Sequence, residues 1–214
     1  MQLPDSDAAH PERVRVGGYV ARRLRRAKRL TLAADVDTAT ALVLQRGREW
    51  EDAGRPVQEA RADRDGADDD LDDVAKDGRA KLAGRSADAM RNAPYTQIFP
   101  EGIDYFTAAP LDQEVARYGQ LVSRLNEFLD PTDDVRKTAV PALNAGIAAF
   151  QLATDAVNTA LGNEAIAATR LTSAEEAWDV LLTKVYGTLL ADEGKAAAER
   201  YFPKNRRNKK KSGG

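Results

Sequence analysis

Residues 111–129 read LDQEVARYGQLVSRLNEFL, and this stretch shows the fold class most clearly. Its apolar residues recur at alternating spacings of four and three, which is the spacing of one face of an α-helix. They are Leu111, Val115, Tyr118, Val122, Leu125 and Leu129. Pro110 precedes the stripe and suits the first turn of a helix. The pattern predicts an amphipathic helix with one buried face.

The chain after Pro131 continues with helical patterns. Thr132 is a good N-cap, and acidic residues follow it where the helix dipole favours negative charge. The next apolar stripe consists of Val140, Leu143, Ile147, Phe150, Thr154, Val157 and Leu161. A capping-box pattern at 173–176 predicts a last helix that ends near Tyr201. Residues 111–202 are therefore predicted to form a C-terminal helical bundle.

The N-terminal half carries a weaker repeat. Four apolar residues recur every seven positions, as in helices that pack as coiled coils: Val36, Val43, Trp50 and Val57. Pro56 predicts a kink or a short break in this helix. An acidic return arm around 63–84 would then complete a hairpin, so residues 19–91 are predicted as a basic segment followed by a helical hairpin. This arm has few large apolar residues, so we expect it to need a partner to complete its burial.

Residues 92–110 contain three prolines and Gly102, and they predict a non-helical aromatic crossover loop. Its side chains suggest either an apolar plug or a small pocket. The pocket would use Tyr95, Tyr105 and Arg91 as polar groups above a floor of Phe99 and Phe106.

The two ends differ from the helical body in composition. Residues 1–18 contain Pro4, Pro11 and a Gly-Gly pair, and they predict a flexible leader. Residues 203–214 have little apolar surface to bury and predict a disordered basic tail. We therefore predict an all-α protein: an elongated helical bundle of two antiparallel helical hairpins plus an intervening helix, with flexible basic termini.

The apolar patterns of the two halves come into phase at an offset of 107 residues. The matching pairs are Val36 with Leu143, Val43 with Phe150, Trp50 with Val157, Leu71 with Trp178, Val74 with Leu181, and Leu82 with Leu189. An internal duplication and two unrelated amphipathic hairpins explain this match about equally well.

Several chemistries are disfavoured by composition. The chain has no cysteine, which excludes disulfides, thiolate zinc sites and cysteine nucleophiles. Its single histidine, His10, falls in the predicted leader, so a Ser-His-Asp relay is not expected. No apolar run approaches the length of a membrane span and no signal core begins the chain, which predicts a cytoplasmic protein. No enzyme activity, cofactor or small-molecule ligand is predicted.

Charge is strongly segregated although the net charge is only -2. Residues 1–34 hold eight basic residues against three acids, a balance of +5, and residues 203–214 hold six basic residues and no acid. The remaining residues 35–202 therefore carry -13. The sequence predicts an acidic body with two basic ends.

The basic ends supply the candidate binding residues. Clustered lysines and arginines neutralise phosphates and release counterions, which predicts binding to nucleic acid or another anionic partner. The N-terminal set is Arg22, Arg23, Arg25, Arg26, Lys28 and Arg29, and the tail set is Lys204, Arg206, Arg207, Lys209, Lys210 and Lys211. The acidic body of a neighbouring subunit is a competing partner. Membrane docking is the least favoured because residues 22–29 lack large aromatic side chains.

An aspartate cluster gives a weak metal candidate. Four of its carboxylates fall at positions 3, 5, 9 and 12 of an EF-hand pattern: Asp63, Asp65, Asp69 and Asp72. Arg61 stands at position 1 and a short aspartate replaces the bidentate glutamate, so a solvated acidic helix face is favoured over calcium binding.

These patterns predict two functions. The leading hypothesis is a non-enzymatic structural or scaffold protein that forms a homo-oligomer or binds a protein partner through exposed helix faces. The alternative is a sequence-independent nucleic-acid-associated protein that uses the basic N-terminal helix and the tail.

Overall fold

The computed structural model describes Pro4 and residues 8–203, while residues 1–3, 5–7 and 204–214 lie outside the described part. Within that part the chain forms helices and no strand, which confirms the all-α prediction. The elements are α1 (His10–Arg26), α2 (Leu30–Ala83), a 3-10 turn (Ala89–Arg91), α3 (Tyr95–Ile98), α4 (Asp104–Thr107), α5 (Glu114–Phe128), α6 (Asp134–Glu193), α7 (Lys195–Ala198) and a second 3-10 turn (Glu199–Tyr201).

The chain divides into two compact units that share the long helices α2 and α6. Unit 1 consists of residues 1–54 and 162–214, and unit 2 consists of residues 55–161. Each unit thus combines a helix of 15–17 residues, α1 or α5, with a segment of each long helix. The predicted boundaries of an N-terminal hairpin at 19–91 and a C-terminal bundle at 111–202 do not coincide with these units.

The reason for this difference is the continuity of α2 at Pro56. We expected a kink or break there, but the helix runs without interruption from Leu30 to Ala83. A proline inside a helix removes one backbone donor, and Pro56 and Asp52 are both exposed, so water can satisfy the freed carbonyl. Because the helix does not end, its second half does not fold back onto its first half.

Helix α6 is longer than predicted in the same way. The capping-box pattern at 173–176 and Gly162 both lie inside it. Leu171, Ala174 and Trp178 are buried at helical spacing across the expected start, so packing holds the helix through this point. The helix begins one residue after Asp133, whose Oδ1 accepts a bond from the Val135 amide at 2.9 Å, and Asp133 is therefore the N-cap instead of Thr132.

The expected leader is helical from His10 onwards. Pro11 occupies the first turn of α1, and Arg13 is buried with its Nη2 3.0 Å from Oδ2 of Asp179 on α6. Gly17 packs so closely on Thr40 that a Cβ there would lie 2.1 Å from the threonine Oγ1. Gly17, the first residue of the Gly-Gly pair that suggested flexibility, instead permits close helix packing.

The core of unit 1 lies between α1, the first half of α2 and the second half of α6. Its buried residues include Val16, Val20, Leu24, Val36, Val43, Trp178, Leu182, Val185 and Leu189. The Trp178 indole N–H donates to Oγ1 of Thr40 at 3.0 Å inside this core. Arg29 at the start of α2 pairs with Glu193 at the end of α6, so the two long-helix segments run antiparallel in this unit.

The core of unit 2 lies between the second half of α2, α5 and the first half of α6. Leu71 and Leu82 are almost fully buried there, together with Tyr118, Leu121, Leu125, Leu143 and Phe150. Arg85 pairs with Asp133, so the long-helix segments are antiparallel here as well. The acidic arm around 63–84 therefore completes its burial within its own chain, contrary to the expectation that it needs a partner.

The predicted crossover loop at 92–110 is partly helical, since α3 and α4 lie within it. Its aromatic rings fill the end of the unit 2 core: the ring centroids of Phe99 and Phe106 are 5.9 Å apart, and those of Phe106 and Tyr118 are 6.2 Å apart. Arg91 is exposed and lies 4.0 Å from Asp88. Phe99 and Phe106 are buried, so the segment is an aromatic plug and these two rings are not the floor of an open pocket.

The end of α6 lies earlier in the chain than the sequence predicts. Gly194 follows Glu193 with φ +79°, a left-handed conformation that ends α6 before the predicted Tyr201.

The residue pairs that match at an offset of 107 can be compared by their burial. Trp50 and Val157 differ in burial, and the members of the other five pairs agree. A helix of 15–17 residues followed by a long one occurs twice, as α1–α2 and α5–α6.

Candidate functional site

The last turn of α1 and the turn into α2 hold all six N-terminal candidates within eight residues. Two of them are used in ion pairs that fix the turn. Arg25 pairs with Asp37 on α2, and Arg29 pairs with Asp192 and Glu193 on α6, at 3.0 and 2.8 Å. The hydrogen bond from Arg29 lowers the pKa of Glu193. These two arginines therefore contribute to folding.

Arg23 joins this turn to the C-terminal segment of the chain. Its Nε donates to the backbone carbonyl of Arg200 at 3.1 Å. Tyr201 and Phe202 are buried in unit 1, with the Phe202 ring 5.6 Å from that of Tyr186. The C-terminal segment is thus held against the basic turn of α1.

The remaining candidates in this region stay available to a ligand. Arg22, Arg26 and Lys28 are exposed, as is Arg200, and no carboxylate among residues 8–203 lies within ion-pair distance of any of the four. We call the surface formed by Arg22, Arg23, Arg26, Lys28 and Arg200 the basic end of unit 1. Sequence reasoning missed Arg200 because it stands alone between apolar and acidic residues.

An open cavity of about 290 Å³ lies in the basic end. Arg23, Arg26 and Arg200 line it, with Tyr201 and two alanines. Glu193 is the single acid among the described lining residues, and its carboxylate already accepts bonds from Arg29 and from the Tyr201 hydroxyl, the latter at 3.0 Å. The surplus charge of the cavity is therefore positive, which suits an anion.

The six basic tail candidates (Lys204, Arg206, Arg207, Lys209, Lys210 and Lys211) lie outside the described residues. Their point of attachment is described, because Pro203 follows the buried Phe202 directly. The described part of the chain therefore ends three residues after Arg200, which belongs to the basic end of unit 1.

The weak metal candidates are not arranged as a calcium loop. Asp63, Asp65, Asp69 and Asp72 all lie inside α2, whereas an EF-hand requires a loop. Asp72 is engaged elsewhere, since its carboxylate accepts the Tyr118 hydroxyl at 2.6 Å. In the part of the chain that the structure describes, no group of three histidine or acidic side chains is placed to hold a metal ion.

A carboxyl cluster in unit 2 was not predicted. Asp68 and Asp72 are one helical turn apart on α2, and Glu114 and Tyr118 are one turn apart on α5. Glu114 is only 2% exposed. Burial raises its pKa to about 7, and the nearby charges of Asp68 and Asp72 add to the effect while Arg117 opposes it.

The same cause acts on its neighbours: burial raises the pKa of Asp68, and burial together with the bond to Asp72 raises the pKa of Tyr118. Burial and mutual repulsion therefore favour a protonated carboxyl in this cluster at pH values where an exposed glutamate is ionised.

The outer face of α6 in unit 1 is a third candidate surface. We define it as Ile166, Thr169, Arg170, Ser173, Glu176, Ala177 and Val180, which are all exposed and recur at helical spacing. Val180 is 70% exposed and Ile166 is 51% exposed. Beside this face, an open groove of about 310 Å³ reaches Leu42 on α2. The sequence patterns gave no sign of this face because they predicted a helix boundary inside it.

Comparison of the chain with family models, with curated proteins and with solved structures finds no match. Among the helices that the structure describes, none is long and apolar enough to cross a lipid bilayer.

Proposed function

We propose that the chain is a non-enzymatic structural protein that binds the phosphate backbone of nucleic acid, without sequence preference, through the basic end of unit 1. The observation that carries the proposal is the grouping of exposed basic residues from the α1 turn with Arg200 from the C-terminal segment. The hydrogen bond from Arg23 to Arg200 holds the C-terminal segment beside the α1 turn, and the tail begins three residues later. One ligand at this surface can therefore contact both the α1 turn and Arg200.

The chemistry of this surface fits a polyanion. Guanidinium groups bind phosphate oxygens in a fixed, often bidentate geometry, and exposed arginines and lysines release counterions when they bind nucleic acid. Tyr201 and Phe202 are buried, so neither ring is presented for stacking on bases. Contacts to phosphates alone give affinity without sequence readout.

The rest of the chain limits where a polyanion binds. Residues 55–161, which form unit 2, hold twelve basic and nineteen acidic residues, a balance of -7. This unit repels phosphates as a whole. Contact is therefore expected at the basic end alone.

Fluorescence anisotropy with a labelled DNA duplex tests the proposal at about 50 and 200 mM salt, a range over which phosphate contacts weaken strongly. The variants are the double substitution Arg22→Gln/Arg26→Gln and a chain ending at Pro203. Both should bind more weakly than the full chain, and each lost phosphate contact should reduce the slope of log K against log salt by about 1.

A matched control removes the same charge elsewhere, with Arg48→Gln and Arg61→Gln on exposed positions of α2. This control should bind as the unchanged chain does. Absence of binding at low salt, or an equal loss in the control, would overturn the proposal.

Self-association through helix faces is the second candidate function, and the exposed aliphatic side chains of the α6 outer face favour it. The thin acidic arm no longer argues for it, since that arm is buried within unit 2. Light scattering coupled to size exclusion decides the matter: a strict monomer at every concentration excludes self-association.

A further inference from the structure

We infer that the outer face of α6 in unit 1 is a two-fold interface with a second copy of this chain, in which the two α6 helices run antiparallel and cross at Ser173. This inference rests on the self-association candidate and is independent of nucleic-acid binding. A two-fold interface uses the same patch on both subunits, so the patch must complement itself. The residues around Ser173 meet that condition in both apolar and charged positions.

The apolar positions are symmetric about Ser173. Ile166 lies seven residues before it and Val180 seven residues after it, and both side chains are mostly exposed. In an antiparallel pair each residue meets the residue equally far on the other side of the centre. Ile166 therefore packs on Val180 of the second copy, and Val180 packs on Ile166 of the second copy. Formation of the dimer therefore buries the apolar surface of both side chains.

The charged positions are symmetric about the same centre. Arg170 lies three residues before Ser173 and Glu176 three residues after it, and both are exposed. Among residues 8–203 neither forms an ion pair. The charge of Arg170 contributes to lowering the pKa of Glu49 on α2. The antiparallel two-fold places each arginine opposite a glutamate of the other copy, which gives two interfacial ion pairs.

Charge also selects this orientation over the parallel one. A parallel two-fold would bring Arg170 against Arg170 and Glu176 against Glu176, and like charges in contact disfavour an interface. The antiparallel pairing turns both repulsions into attractions. The side chains between the charged and aliphatic positions are small, namely Thr169, Ser173 and Ala177, so two helices can approach closely along this face.

The groove beside the face adds area to the same interface. Leu42 on α2 is 40% exposed at its edge, and Ser173 and Ala177 form part of its lining. A helix laid along the α6 face covers this groove at the same time. Self-complementarity in both charge and apolar positions is what identifies the occupant as a second copy of the chain.

The experiment is a charge swap in the full chain, with the dimer dissociation constant measured by sedimentation equilibrium. Arg170→Glu alone and Glu176→Arg alone each replace two attractions with two repulsions, so each should weaken the dimer roughly tenfold or more. The double variant Arg170→Glu/Glu176→Arg restores both pairs with reversed sign, and its dissociation constant should return to within about threefold of the unchanged chain.

An apolar variant provides a second measurement. Val180→Asp should abolish the dimer, because each copy would bury a charge against Ile166 of the other copy. Leu111→Asp is the matched control, since Leu111 is 47% exposed and lies in unit 2, and it should leave the dimer intact. Circular dichroism verifies that each variant keeps its helices.

The outcomes separate this inference from the candidate on which it rests. If Val180→Asp and the single charge swaps leave the dimer dissociation constant unchanged, the α6 interface is wrong but self-association is not contradicted. Weakening by both single swaps without rescue by the double variant overturns the antiparallel pairing. A chain that stays monomeric at every concentration contradicts self-association itself. This holds also if the α6 outer face binds a different partner.

Discussion

Replacing Glu114 by glutamine tests the electrostatics of the carboxyl cluster in unit 2. The pKa of Glu114 is raised from its ordinary value of 4.5 to about 7 by burial and by the charges of Asp68 and Asp72. In the unfolded chain the group loses its proton near pH 4.5, whereas the folded chain retains it until about pH 7. The folded state therefore binds more protons between these values, and its stability falls as pH rises through this window.

The size of the effect follows from the shift. Each pKa unit corresponds to about 1.4 kcal/mol, so ionising Glu114 in the folded chain costs up to about 3 kcal/mol of unfolding free energy at pH 8 relative to pH 4. Glutamine keeps a polar amide that can donate to Asp68 and has no charge to bury. The Glu114→Gln variant should therefore be more stable than the unchanged chain at pH 8 by about 1–3 kcal/mol, and similar to it at pH 5.

The assay is urea unfolding at pH 5 and pH 8, followed by circular dichroism. Hydrogen exchange of the α5 amides adds a readout that belongs to unit 2. Glu127→Gln, at an exposed position of the same helix, removes the same charge outside the cluster and should not change the pH dependence. Equal pH dependence in the unchanged chain and in Glu114→Gln would refute the raised pKa of Glu114.

Further substitutions test the packing of each unit by thermal or urea unfolding. Gly17→Ala should destabilise the chain by about 1–3 kcal/mol because the new Cβ would overlap Thr40, whereas Gly18→Ala, next to it in open space, should be neutral or stabilise it by about 0.5–1 kcal/mol. A smaller loss for Gly17→Ala than for Gly18→Ala would contradict the close packing. Trp178→Phe removes the buried bond to Thr40 and should cost about 1–3 kcal/mol, and no change would show that the bond contributes nothing. Phe106→Ala removes a ring from the aromatic plug and should lower the unfolding free energy by about 3–5 kcal/mol. An unchanged unfolding free energy would contradict the role of this ring in the core.

The sequence was most informative where one helix face is buried. The alternating spacing from Val115 to Leu125 predicted α5, and it succeeded because that face packs into the unit 2 core. The all-α class followed from such stripes, since the 3.6-residue period is a local property of the chain.

The sequence misled where a local signal competes with packing. Pro56 and Gly162 suggested helix ends, yet both lie inside long helices. Buried residues on either side, such as Val57 and Leu171, keep the same face turned towards the core. The cost of one exposed backbone group is smaller than the loss of that packing.

The candidate surfaces depend on contacts between distant parts of the chain. The six basic residues from Arg22 to Arg29 were visible in the sequence. Their contact with Arg200 depends on the antiparallel arrangement of α2 and α6 in unit 1. The raised pKa of Glu114 likewise depends on α5 lying against Asp68 and Asp72. No local pattern encodes either arrangement.

The most direct test of the central claim is the salt dependence of binding to a short DNA duplex of about 12 base pairs, a length that two separated sites would not share. The full chain should bind this duplex with a slope of log K against log salt that is steeper than the slope of the chain ending at Pro203, and steeper than that of Arg22→Gln/Arg26→Gln. Such a result places both basic clusters on one ligand. A slope that neither change reduces, or no binding at low salt, contradicts the basic end as a nucleic-acid site.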